Sequence, residues 1–346
     1  MNPFEVRRAG VHRVRVPLKT PFVTALGRKT ETENVRLVLT LRGGAEGWGE
    51  ASSSVVQAHL KAPRIERTLR RLAALALGRD VRRLRQLSRE AWRRCGPASA
   101  AAAALECALL DAWTQALGIP MSAWFGGAVD HVDTDLTLSA WPAPQAGEAA
   151  AAAVRRGFRT LKVKVGSGSP AEDLARVRAA SRPRPAPRIV LDGNQGLDRR
   201  RALRLVEDCL DSGVKVELLE QPLPREDLDG MRRLTRDCPV PVAADEAARA
   251  PAEALEVLRT RAAGAINVKV AKTGLLASLE IAALCRAAGA PLMIGCMQET
   301  ALGLSPSVHL ACGTAAFRWI DLDSDELLAE PRPQGRYIRR GPTVSV

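Results

Sequence analysis

Lys162 and Lys164 lie two apart in the apolar stretch TLKVKVG, residues 160–166. In a strand, alternate side chains share a face, so both ammonium groups point the same way into what reads as a buried sheet. Buried like charges repel and resist desolvation, so the rest of the chain must compensate them. Asp192 in RIVLDGN, Glu220 in VELLEQP and Asp245 in PVAADEA supply three carboxylates, and Lys269 in AINVKVAKTG supplies another amine. From Lys164 through these four the intervals are 28, 28, 25 and 24 residues, about one strand–helix unit each. A single Asp at a strand end is often only a helix cap. Five polar residues in register are not explained that way. Three carboxylates without histidine or thiol make a hard oxygen site suited to one Mg2+ ion. Such an ion can stabilise the charge left when a proton leaves the carbon beside a substrate carboxylate. Burial, a second ammonium and the cation should each lower a lysine pKa from about 10.4, giving a neutral base near pH 7. A lysine on each side lets a proton leave one face and return on the other. Lys269 is preferred to Lys272 for this role, because Lys272 falls beyond the apolar run.

These residues need a scaffold that gathers strand ends. From about Val132 onward eight short apolar runs alternate with helical patterns: DTDLTLSA, TLKVKVG, RIVLDGN, VELLEQP, PVAADEA, AINVKVAKTG, PLMIGCM and RWIDLD. Such alternation implies parallel strands joined by right-handed crossovers. Eight units predict a (β/α)8 barrel, whose active sites sit at the C-terminal mouth. A doubly wound open sheet is the competitor, weakened because no run leads into a GxGxxG turn. Ahead of the barrel, HRVRVPL and NVRLVLTLRGG read as strands flanking a loop, TPFVTALGRKTETE, with EGWGEAS as a third extended piece. Helices are expected from about Pro63 to Arg94 and from Ala98 to Ala116, the second very rich in alanine. The final GRYIRRGPTVSV is extended and expected to return to this first α+β unit.

Composition narrows the function classes. Hydrophobic residues make up 46% of the 346, yet no apolar run reaches about 18, so no transmembrane helix is expected. The basic start MNPFEVRRAGVHRVRV lacks the apolar stretch of a secretory signal. Seven scattered cysteines without a CxxC pair suggest reduced thiols in a cytoplasmic protein. The net charge of +13 raises a nucleic-acid partner. The arginines are spread over helical stretches, however, and 3% aromatic residues leave little for base stacking. The expected partner is a small molecule, with neither nucleic acid nor membrane.

The KxK of residues 162–164, LDGNQ, ELLEQP, VAADE and INVKVAKTG together resemble the enolase superfamily, in particular its muconate-lactonizing-enzyme subgroup. GWGEAS and ALECALLDAWTQALGIPMSAWFGG resemble that family's capping domain, so the likeness covers nearly the whole chain. It implies a capping domain at 1–125, a modified TIM barrel at 126–325, and a segment at 326–346 that returns to the cap, in a homo-oligomer. It also implies Asp192, Glu220 and Asp245 as Mg2+ ligands, Lys164 and Lys269 as acid/base residues, and Lys162 as an auxiliary lysine. Members of the subgroup include cycloisomerases, o-succinylbenzoate synthases, N-acylamino acid racemases and dipeptide epimerases. WIDLDS sets Asp321 and Asp323 on one strand face, where the dipeptide epimerases carry a DxD that receives the substrate's N-terminal ammonium. An acylated or succinyl substrate offers no cation to such a pair. The implied activity is a Mg2+-dependent dipeptide epimerase working through an enolate, on a small dipeptide such as Ala-Glu. The alternatives are an N-acylamino acid racemase or o-succinylbenzoate synthase, and beyond them a non-catalytic basic barrel that binds nucleic acid. Cys296, Met297 and Gln298 in GCMQET resemble the stretch that lines the dipeptide, and Thr137 a backbone contact to it. Alanyl-glutamate epimerases place an arginine directly after TAL; here Gly27 stands there, and Arg28 is the candidate to reach the substrate.

Overall fold

The computed structural model describes residues 2–53, 61–331 and 334–346. β1 (Val6–Thr24) and β2 (Gly27–Leu41) form a long antiparallel hairpin, and β3 (Glu46–Ala51) pairs with the far edge of β2. The segment expected as a loop is strand almost to its tip, with Phe22 opposite Lys29, Val23 opposite Arg28 and Thr24 opposite Gly27. Contacts remote in sequence stabilise that extension. The Val23 N–H donates to Ser139 Oγ and the Val23 carbonyl accepts from the Ala140 N–H, both at 3.0 Å. The hairpin tip is thereby fastened over the barrel mouth.

α1 (Ala62–Ala76) turns Ile65, Leu69, Leu72, Ala73 and Ala76 inward at helical spacing, leaving its arginines to solvent. α2 (Leu84–Arg94) does the same with Leu84, Leu87 and Ala91. α3 (Ser99–Leu117) is buried almost all round, which its alanines make possible by letting other backbones come close. Gly47 and Gly49 of β3 meet it there: a Cβ on Gly49 would collide with the Ala104 carbonyl, and one on Gly47 with the backbone of Ala108 and Ala112. GWGEAS and the alanine-rich helix are two halves of one contact. A Gly49→Ala substitution should therefore destabilise the protein by about 3 kcal/mol, the upper end for overpacking, because the obstacle is backbone. Urea unfolding measures this, and an unchanged midpoint would refute the tight fit.

All eight runs expected as barrel strands are strands: β5 (Leu136–Leu138), β6 (Thr160–Lys164), β7 (Arg188–Asp192), β8 (Val216–Glu220), β9 (Val242–Ala244), β10 (Ala265–Val268), β11 (Leu292–Ile294) and β12 (Trp319–Ile320), preceded by β4 (His131–Asp133). β5 to β12 pair in sequence order, all parallel. At the seam between β12 and β5 the Asp135 N–H donates to the Ile320 carbonyl (2.9 Å) and the Leu322 N–H to Thr134 Oγ1 (2.7 Å). Val190, Leu218, Ala243, Ala265, Met293 and Trp319 fill the barrel interior below the mouth. Outward residues such as Leu161, Val163, Ile189 and Leu191 join the core shared with the surrounding helices.

The chain end departs from the expected simple return to the first unit. β13 (Ile338–Arg340) pairs with β14 (Thr343–Ser345), which pairs with β4 rather than with the first sheet. Side chains nonetheless reach the cap, with Arg336 2.9 Å from Asp111 on α3. Among the described residues no helix is long and apolar enough to cross a membrane, and all seven cysteines are free.

Candidate active site and metal centre

Strand phase sends Lys162 and Lys164 inward, both buried, at 1% and 6% exposure. β6 is second and β10 sixth in a row of eight, so Lys164 and Lys269, just past the end of β10, stand on opposite walls. Both line one cavity, together with Lys162, Thr137, Asn194, Cys296, Met297, Gln298, Asp321 and Asp323. Phe22 and Thr24 from the hairpin tip and Leu327 cover it.

Asp192, Glu220 and Asp245 project from neighbouring strand ends and are fully buried. Lys162 Nζ lies 2.6 Å from Glu220, 2.6 Å from Asp321 and 3.1 Å from Asp192. Lys164 Nζ is 2.5 Å from Asp192, and Lys269 Nζ is 2.8 Å from Asp245 and 4.0 Å from Glu220. At Lys162 and Lys269 these contacts oppose the lowering that burial favours. Burial does push Lys162 down, but Asp321, Glu220 and Asp192 outweigh it and hold the ammonium well above its ordinary range. Lys269 is raised likewise, Asp245 overcoming the effect of burial. Asp192 moves the other way: burial opposes its ionisation, yet Lys164 and Lys162 hold it down at about 2. The carboxylates keep Lys162 and Lys269 charged, so a base at Lys269 requires their negative charge to be engaged elsewhere.

The donor set fits Mg2+. Three buried carboxylates on adjacent strands provide only oxygen, as a hard divalent ion requires. Acceptors beside them also stand unpartnered: among the described residues Asn194 Oδ1 and both Glu246 carboxylate oxygens have no hydrogen-bond partner. A bound cation is suited to such oxygens. Several residues that the sequence reading passed over hold the ligands in place. Lys272, set aside as lying beyond the run, sits on a one-turn helix with its ammonium 2.6 Å from Asp245 Oδ1. Asn267 donates from Nδ2 to Glu220 Oε1 at 2.6 Å. Gln221 Oε1 accepts from the Asp245 and Ala247 N–H groups at 2.9 and 3.1 Å. Alternation gave a signal for Asn267, two residues before Lys269; nothing local marked Gln221.

Asp321 and Asp323 lie on the wall beside β5. The Thr137 N–H donates to Asp323 Oδ2 at 2.5 Å and its hydroxyl to Asp321 Oδ1 at 3.3 Å. Cys296 Sγ is 3.7 Å from Asp323, and the three residues bring ligand atoms within 4.8 Å of one another. Their present donors are an amide, an ammonium, a hydroxyl and a thiol, so the pair is set to accept hydrogen bonds. Arg28 is not brought here. It is exposed on the outer side of the hairpin, because its register opposite Val23 points it away from the cavity. Lys29, next along, donates to the Ser53 carbonyl at 2.5 Å.

A capped eight-stranded barrel with paired lysines across a carboxylate-lined mouth is the architecture of a proton-transferring enzyme. The chain belongs to the mandelate racemase/muconate lactonizing enzyme family of the enolase superfamily. Residues 7–126 match the N-terminal domain of that family and residues 145–343 its enolase C-terminal domain-like unit. It is 35% identical to an aromatic dipeptide epimerase of Herpetosiphon aurantiacus, covering 99% of this chain and 97% of that one. It is 33% identical to the L-Ala-D/L-Glu epimerase of Bacillus subtilis, covering 99% and 94%. The structure also superposes on a Methylococcus capsulatus dipeptide epimerase complexed with Mg and L-Arg-D-Lys, with a TM-score of 0.89, 30% identity, and 99% and 97% of the two chains covered.

Proposed function

We propose that this protein is a Mg2+-dependent dipeptide epimerase that inverts the Cα of the C-terminal residue by proton transfer between two lysines. One observation carries the reading: Asp321 and Asp323 share a cavity with Lys164 and Lys269. The aspartates receive the dipeptide's ammonium, which places the far residue's α-carbon between the two amines. Asp192, Glu220 and Asp245 would hold the ion, which when bound supplies positive charge against the negative charge developing on the substrate carboxylate. One lysine takes the α-proton from its side and the opposite lysine returns a proton to the other. Lys162 ties Asp321 to the ligand carboxylates and orients the aspartate pair toward the same centre.

Phe22, Leu327 and Met297 give the cavity apolar surface, and no arginine stands among the described residues that line it. We therefore favour uncharged C-terminal side chains over glutamate. A dipeptide library incubated with Mg2+ in D2O and read by mass spectrometry tests this. One deuterium should enter dipeptides with apolar C-terminal residues, and none should enter their N-acetylated forms. Exchange confined to N-acylamino acids would replace the proposal by the racemase alternative.

We further assign the protein to the cytoplasm as a homo-oligomer, on the strength of its unpaired cysteines and family, without nucleic-acid partners; light scattering tests the assembly. The division into 1–125, 126–325 and 326–346 is supported by Arg336 on Asp111 and by the Leu18–Leu328 bridge, both of which tie the last segment to the cap.

A further inference from the structure

Asp135 precedes β5, two residues before Thr137, and is 3% exposed. Its N–H donates to the Ile320 carbonyl at 2.9 Å, which sets it beside Asp321, and Asp321, Asp323 and Lys162 are the charged groups that act on its carboxyl. Asp321 already has donors, Lys162 at 2.6 Å and the Thr137 hydroxyl at 3.3 Å. Asp323 has the Thr137 amide at 2.5 Å and the Cys296 thiol at 3.7 Å. Asp135 Oδ1 has no donor among the described residues. The C-terminal segment brings in Arg339, whose Nε and Nη2 are engaged by Asp325 and the Leu322 carbonyl and whose Nη1 has no partner among the described residues. Three carboxyls thus share one ammonium, Lys162, which Asp192 and Glu220 also claim.

Buried carboxyls set side by side repel each other as anions, which favours keeping a proton on one of them. Asp321 and Asp323 have donors from elsewhere, so the proton belongs on Asp135. Building on the reading of Asp321 and Asp323 as the ammonium site, we propose that Asp135 completes that site as a positioning residue. It holds a proton against Asp321 while the site is empty and gives it up to solvent when the dipeptide ammonium arrives. Charge balances, since one positive charge enters the cluster as one proton leaves. Burial, with Asp321 and Asp323 adding to it, pushes the Asp135 carboxyl well above the usual carboxylate range and so favours its protonated form. An added cation favours the ionised form of all three, which titrate as one coupled group.

Calorimetry tests the exchange with L-alanyl-α-aminoisobutyrate, a dipeptide lacking the α-proton. The full chain is saturated with Mg2+ near pH 6.5, where a dipeptide α-amino group is charged. Titration in two buffers of different ionisation enthalpy counts the protons released. Wild type should release about one per dipeptide bound. Asp135→Asn keeps a donor toward Asp321 but no titrating proton, and its count should fall near zero. Undiminished release by a folded Asn variant, checked by its thermal melt, overturns the inference while the dipeptide reading stands. Absence of release by wild type does the same, and that measurement holds even if the variant fails to fold. A different pattern marks failure of the reading itself: no binding, or equal binding of the N-acetylated compound, removes both.

Discussion

Alanine at Lys164 is expected to slow epimerisation by about a thousandfold, within the range for loss of a general acid or base, while one epimer still exchanges its α-proton in D2O. Alanine at Lys269 should give the same loss of epimerisation, with the opposite epimer exchanging. The reasoning is geometric: the two amines stand four strands apart across the cavity, so each variant keeps a base on one face only. Neither change strands a buried carboxylate. Asp192 keeps Lys162 at 3.1 Å when Lys164 is removed, and Asp245 keeps Lys272 at 2.6 Å when Lys269 is removed. Both variants should therefore fold, and the comparison reads chemistry. Separate measurement of deuterium uptake by the two epimers decides the matter. If both variants exchange the same epimer, the lysines do not work from opposite faces.

Asparagine at Asp323 should lower kcat/KM for dipeptides by about a hundredfold, equivalent to about 3 kcal/mol. Removing one charge from a buried ammonium site leaves the incoming cation short of its partner. The loss should appear mainly in KM, since Asp323 touches Thr137 and Cys296 and neither proton-transferring lysine. Asp321→Asn should be worse. It also frees Lys162, which then rests on Asp192 and Glu220 alone and competes more strongly for the metal ligands. Steady-state kinetics with a dipeptide and its N-acetylated counterpart provide the check. Unaltered dipeptide turnover in both variants would mean that the aspartates do not read the ammonium.

Much of this site was legible along the chain because strand geometry is local. Period two alone turns Lys162 and Lys164 inward, and unit-length spacing alone sets Asp192, Glu220, Asp245 and Lys269 on successive strand ends. Other features depended on distant partners. The hairpin from Thr20 onward reads as a loop until Ser139 and Ala140 hold it. The three-residue strands at the chain end are too short to signal themselves, and their register comes from β4. Gly47 and Gly49 make sense only against the backbone of α3.

By itself, then, the order of residues determined the eight strands, which side chains face inward, and the type of ion the carboxylates suit, because each follows from alternation, spacing or donor chemistry. Tertiary structure decided the rest. It turned Arg28 outward, brought Lys272, Gln221 and Asn267 onto the ligands, and set Asp135 behind Asp321. It also set the field on Lys162, whose charge is held by Asp321, Glu220 and Asp192. A local reading can price the burial of an ammonium, but the field acting on it is a sum over neighbours that only folding assembles.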